Sequence, residues 1–111
     1  MQNKKIKNYE FLKEMYSDGY FPDFLVDKGR DILIDVCNRI ENEKIETIEA
    51  LYVITHQATE KFNDLNEEFD KNGSEIETVA RDSIGEGFQY IAEAYGFVDA
   101  DSEELIATRD W

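Results

Sequence analysis

The stretch ALYVITHQATEKFNDLNEEF, residues 50–69, holds the only histidine of the chain. Glu60 follows His56 by four positions, so on a helix the two side chains stand one turn apart on the same side. Tyr52, Thr59, Asn63 and Glu67 share that flank, and Asp64 is next to it. An imidazole and a carboxylate at this spacing can do three things. The carboxylate can favour the protonated ring and make an acid–base pair. The two groups can give two ligands to a divalent metal. The ring can also bond to a carboxylate or to backbone at a helix–helix boundary and take part in no reaction.

Two ligands do not make a metal site, so further groups must come from another helix. Asp82, Glu86 and Glu93 fall with Gln89 on the solvent side of the next helix if its small residues are buried. Glu77 and Arg81 lie at the border of that buried face and are better placed to reach the flank. The candidate ligand- or partner-binding set is therefore Tyr52, His56, Glu60, Asn63, Glu77 and Arg81. Glu77 and Arg81 also have the i,i+4 spacing of an ordinary helical ion pair.

Most established chemistries find no pattern here. A di-iron bundle needs Glu-x-x-His on two helices, but Val53 stands three places before His56. HExxH, paired cysteines, a Gly-rich P-loop and G-x-S-x-G are all absent from the sequence. DKNGSEIE, from Asp70, starts like a calcium loop, but Asn72 takes the second acidic position and no glutamate follows at the bidentate distance. No catalytic residue, metal ligand or cofactor is assigned.

The elements that position these residues read as helices. One proline and six glycines punctuate 111 residues, and no alternating strand pattern occurs. Asn8 is positioned to cap a first helix from about Tyr9 to Tyr16. SDGYFPD interrupts it, with Gly19 available for positive φ and Pro22 suited to the first turn of the next helix. The second helix spans about residues 23–43, with Leu25, Val26, Gly29, Ile32, Leu33, Val36, Cys37 and Ile40 on one face. Cys37 lies within that stripe, which predicts a small core residue. Thr47 is placed to cap a third helix, to about Asp70, whose seam is Leu51, Thr55, Ala58, Phe62, Leu65 and Phe69.

Ser74 and Glu77 have the spacing of a capping box, which starts a fourth helix at about Glu75 and carries it to Tyr95. One face of it collects Ile76, Val79, Ala80, Ser83, Ile84, Gly87, Tyr90, Ile91, Ala94 and Tyr95. The small residues in its middle predict a groove for a neighbouring helix. Gly85 points away from that groove and has no role in it. Gly96 suits the position after the helix end, with Phe97 as its apolar contact. Asp101 or Ser102 starts a short fifth helix, about 102–108, and Trp111 either docks on the bundle or is exposed. The expected fold is an all-α, compact bundle of four to five helices in a single domain, residues 1–111.

Composition narrows the partners. The formal net charge is −14. Residues 1–30 carry six basic and five acidic side chains, whereas residues 31–111 carry six basic and twenty-one acidic. Such a surface repels nucleic-acid phosphates and anionic lipid and attracts a basic protein. No apolar run reaches the ~18 residues of a membrane span, and the start of the chain has no apolar signal core. With one unpaired cysteine, a soluble cytoplasmic protein is expected. A homodimer through the small-residue groove or Trp111 is an alternative to a monomer.

The runs THQATEKFNDLNEEF, SEIETVARD and IAEAYGFVDADSEELIATRDW, with YFPDFLVDK nearer the start, resemble a family of small acidic bacterial proteins catalogued as a domain of unknown function. The resemblance covers about Tyr20 to Trp111. It implies a bacterial single-domain protein, implies no activity and carries over no catalytic residue. It draws attention to Tyr52, His56, Glu60, Asn63, Asp64, Glu75, Glu77 and Arg81, and to Arg109, Asp110 and Trp111. The functional reading is a non-enzymatic acidic interaction module, inhibitor or immunity-like, that binds a basic protein. The alternative is a small-molecule or divalent-metal site around His56 and Glu60, hydrolytic in its strongest form.

Overall fold

The structure, a computed structural model, describes residues 2–111. Among them are six helices in chain order: α1 (Lys4–Lys7), α2 (Lys13–Ser17), α3 (Asp23–Glu43), α4 (Ile48–Lys71), α5 (Thr78–Ala94) and α6 (Ser102–Leu105). The fold is all-helical, with no strand among the described residues. None of the helices is long and apolar enough to cross a membrane.

Helices α3 and α4 make the most extensive contact in the molecule. The cross-links Lys28–Glu68, Lys61–Asp35 and Arg39–Gln57 run in opposite order along the two helices, so the pair is antiparallel. Pro22 precedes α3 in extended conformation, and Lys44 closes it with φ 52°. Thr47 Oγ1 accepts the Ala50 N–H at 3.1 Å and starts α4. The buried residues of α4 are Leu51, Ile54, Thr55, Ala58, Thr59, Phe62, Leu65 and Phe69. Thr59 widens the apolar seam on the side that carries the C-terminal segment, and Ile54 widens it on the other side. Cys37 is fully buried, and burial pushes its thiol up to about 12.

The N-terminal third differs from the expectation. No single helix spans 9–16: Asn8 ends α1, Leu12 takes a left-handed conformation (φ 61°), and α2 starts only at Lys13. That turn inserts Phe11, Leu12 and Met15 into the core. Gly19 does not use the left-handed region.

Helix α5 also starts later than the capping box implied. Gly73 (φ 78°) closes α4 in a Schellman motif, with Ser74 N donating to Phe69 O at 2.9 Å and Gly73 N to Asp70 O at 3.1 Å. The chain then runs extended to Glu77, Asn66 Oδ1 accepts the Ile76 N–H at 2.8 Å, and Ile76 is buried. Ser74 Oγ is buried without a partner and caps nothing. Burial of Ile76 and the Asn66 bond outweigh the local capping signal. Gly96 (φ 87°) repeats the Schellman motif at the far end of α5, with Phe97 N on Ala92 O at 2.8 Å.

The buried face of α5 is broader than one stripe and includes Phe88 and Ala92, while Val79 is 46% exposed. The breadth follows from cover on two sides, by α2 and α3 and by α6. The expected groove exists and is filled within the chain: a Cβ on Gly87 would stand 3.0 Å from Leu33 Cδ1 and 3.5 Å from Phe11 Cδ1. Helix α6 stops at Leu105, short of the expected 108, and the rest of the segment turns irregularly to Trp111.

Candidate functional site

The polar flank of α4 faces the C-terminal segment, residues 101–111. Tyr52 Oη accepts the Asp101 N–H at 3.0 Å. His56 Nε2 lies 2.7 Å from the Glu104 carbonyl oxygen and 3.0 Å from Glu104 Oε2. Thr59 Oγ1 has one hydrogen to share between Thr55 O at 2.7 Å and Leu105 O at 3.3 Å, and Thr108 Oγ1 donates to the His56 carbonyl at 3.1 Å. Asn63 makes two bonds, donating Nδ2–H to Thr108 O at 3.1 Å and accepting the Asp110 N–H at 3.0 Å. Arg81, on α5, donates Nε–H to Trp111 O at 2.7 Å.

These contacts have one chemistry in common. Apart from the one to the Glu104 carboxylate, every bond that a flank side chain makes to the segment reaches its backbone, and Thr108 returns one from its hydroxyl to the backbone of α4. A carbonyl oxygen only accepts, so His56 Nε2 must carry a hydrogen whether the ring is neutral or protonated. Side chains of the segment add apolar anchors: Leu105, Ile106 and Trp111 are all buried. Trp111 packs edge-on against Phe62 at 6.2 Å between ring centroids, and its indole N–H has no partner. Trp111 is therefore docked.

The candidate residues do not all meet. Tyr52, His56, Asn63 and Arg81 converge on the C-terminal segment. Glu60 is exposed and bonds to nothing among the described residues. The carboxylate beside the imidazole is Glu104, not Glu60. Glu77 precedes α5 and stands against Glu75, whose carboxyl is held above its ordinary value by a hydrogen bond and charge from Glu77. The anticipated Glu77–Arg81 ion pair does not form, because Glu77 lies outside the helix and Arg81 turns to Trp111. No group of three or more histidine, cysteine or acidic side chains is placed to hold a metal ion among the described residues. Glu104 and Thr108 belong to the arrangement and were not anticipated, while Thr59 was placed on the flank but not among the candidates; the contacts of these three span 46 to 52 residues, beyond the reach of helical spacing.

A second feature lies at the turn before α3. Asp18, Tyr20, Phe21, Glu77, Thr78 and Val79 line a cleft of about 290 Å³. Phe21 is buried at its base, whereas Tyr20 and Val79 are both 46% exposed. Its ionisable residues are acidic only.

Fold and site together define a small all-helical protein whose one histidine is bonded into its own C-terminal segment. The chain belongs to a family of unknown function, DUF5713, whose model matches residues 5–111. No curated protein and no solved structure matches it.

Proposed function

We propose that this chain is a non-enzymatic, cytoplasmic interaction protein that binds a basic protein, in the manner of an inhibitor or immunity protein. The observation that supports this is the cleft at Asp18 and Glu77, where exposed apolar side chains are framed by carboxylates and no base. A lysine or arginine beside an apolar side chain on a partner would match it in charge and shape. The surrounding surface favours the same partner. Only five Lys/Arg–Asp/Glu pairs form among the described residues, against 26 acidic side chains in the chain. Steering by such uncompensated charge speeds encounter and weakens as salt rises.

The test is capture from source-cell lysate by the tagged protein, in parallel with a Glu75→Lys/Glu77→Lys double variant and with Val79→Ser. The expected result is a basic protein retained at low salt, released as salt rises, and lost with both variants. Retention of acidic proteins alone, or capture unaffected by charge reversal, contradicts the proposal.

A further inference from the structure

The C-terminal segment lies on α4 and α5 as a bound peptide lies in its receptor. Tyr52, His56, Asn63 and Arg81 bond to its backbone. Backbone groups are common to every sequence, so these bonds hold a chain without choosing which one. Choice is left to the side chains that enter the groove, and those are Leu105, Ile106 and Trp111. Only four residues of the segment are helical, too few to keep a helix away from the groove. It leaves α5 through the left-handed Gly96 and a connection in which Val98 is 72% exposed.

This occupant matches the groove in shape better than in chemistry. Residues 101–111 hold four acidic side chains and one base, in a chain of formal net charge −14. Glu104 has His56 as its partner. Glu103, however, lines one cleft with Asp82 and Glu86 of α5, carboxylate beside carboxylate. Arg109 turns to Glu103 within the segment, Nη2 to Oε2 at 3.4 Å, so the segment offers that acidic wall no free base. At the far end the Trp111 indole N–H is buried without an acceptor. An unpaired buried donor carries a cost that an apolar ring in the same pocket does not. Both mismatches belong to the occupant, and both are removed by a different peptide on the same path.

We infer that the groove between α4 and α5 is a receptor for a basic peptide of another protein, and that residues 101–111 are its displaceable plug. The ligand presents two adjacent aliphatic side chains to the places of Leu105 and Ile106. A ring without a donor takes the place of Trp111, and lysine or arginine stands where the plug has Glu103 and Asp110. This surface shares no residue with the acidic cleft at Asp18 and Glu77, and it stands or falls apart from that cleft.

The probe is a synthetic peptide with the sequence of residues 101–111 carrying Glu103→Lys, Asp110→Lys and Trp111→Phe, titrated into the full chain. Trp111 is the one tryptophan of the chain, so its fluorescence reports the plug alone. The expected result is a saturable red shift as the indole leaves Phe62 for water, with amide protection lost across 101–111 and kept in α4. A peptide with Trp111→Phe only should bind about tenfold or more weaker at low salt, a gap that narrows as salt rises. Thr108→Ala removes an exposed hydroxyl that ties the plug to the His56 carbonyl. It should tighten binding of the probe several-fold, because a weaker plug competes less. A segment with a purely structural role gives no such gain. Glu75→Lys/Glu77→Lys should leave the red shift in place. No red shift in either the native chain or Thr108→Ala, equal binding of the two peptides, or loss of the shift in Glu75→Lys/Glu77→Lys would overturn the inference.

Discussion

Residues 3–17 and residues 101–111 both close over α5, but they are fastened by different chemistry. The first segment is held by apolar side chains: Ile6, Phe11, Leu12 and Met15 are each at most 4% exposed. Its polar ties are scattered rather than ranged along successive backbone groups, and include Tyr90 Oη to Lys5 O at 3.3 Å and Tyr16 Oη to Asp27 Oδ1. Asn3 Nδ2 donates to Ala94 O at 2.8 Å, Ser83 Oγ to Glu14 Oε2 at 3.0 Å, and Glu41 accepts the backbone N–H of Gln2 and Asn3. The second segment is held in register by directed bonds from Tyr52, His56, Thr59, Asn63 and Arg81 to backbone. Apolar contact is non-directional and tolerates a shift in register. Side-chain bonds to successive backbone groups do not, because each stops when the geometry slips. The lone histidine is therefore part of a device that fixes where the C-terminal segment lies.

Phe62 packs edge-on to Phe88 and Trp111 at 6.0 and 6.2 Å, and it meets the first segment at Gly29, where a Cβ would stand 3.1 Å from Phe62 Cε1 and 3.0 Å from Leu12 Cδ1. Phe62→Ala should cost the most, about 4 kcal/mol of unfolding free energy, seen in urea denaturation. Met15→Ala should cost about 3 kcal/mol as one cooperative transition, since it opens the shared core. Asn63→Ala and His56→Ala should each cost only about 1 kcal/mol, yet speed amide exchange selectively across 101–111. An exchange increase spread over the whole chain would erase the distinction between the segments.

Acidity should separate them in the other direction. The Tyr95 hydroxyl donates to Glu41 and, with the Gln2 and Asn3 amides, holds that carboxyl below its usual range. Its contribution is present above pH 4.5, the unperturbed value, and is lost as pH falls through the lower folded value. Burial, then the bond to Glu41, pushes the Tyr95 hydroxyl up, so its share is lost only as pH rises well beyond 10. Protection of the amides across residues 2–7, taken relative to the intrinsic exchange rate at each pH, should fall in acid. The smallest effect lies in neither segment: Lys44→Gly relieves the positive φ after α3 and should stabilise by about 0.5–1 kcal/mol, leaving exchange in both segments otherwise alike.

The all-helical class and the seams of α3 and α4 were legible because their signals are local. Three-and-four spacing, the Thr47 cap and the glycines at 73 and 96 each act within a few residues. The N-terminal turn was not legible, because only tertiary burial of Phe11 and Leu12 explains a left-handed leucine. The capping box at Ser74 misled because Asn66, ten residues away, takes the Ile76 N–H. The flank residues were found from their spacing, but the groups they bond were not. Backbone of residues 101–111 has no sequence signature as a hydrogen-bond partner, and Glu60 was the nearest carboxylate in the chain while Glu104 is the nearest in space.

The most direct test that the α4 flank holds the C-terminal segment is the ring nitrogen signal of His56 by NMR, recorded without metal and then with zinc. The expected result is a hydrogen on Nε2 throughout the folded range, coupled to the Glu104 carbonyl and unmoved by zinc. A neutral ring with bare Nε2, or an Nε2 signal that shifts with micromolar zinc together with Glu60 and Asn63, would contradict it and return this flank to metal chemistry.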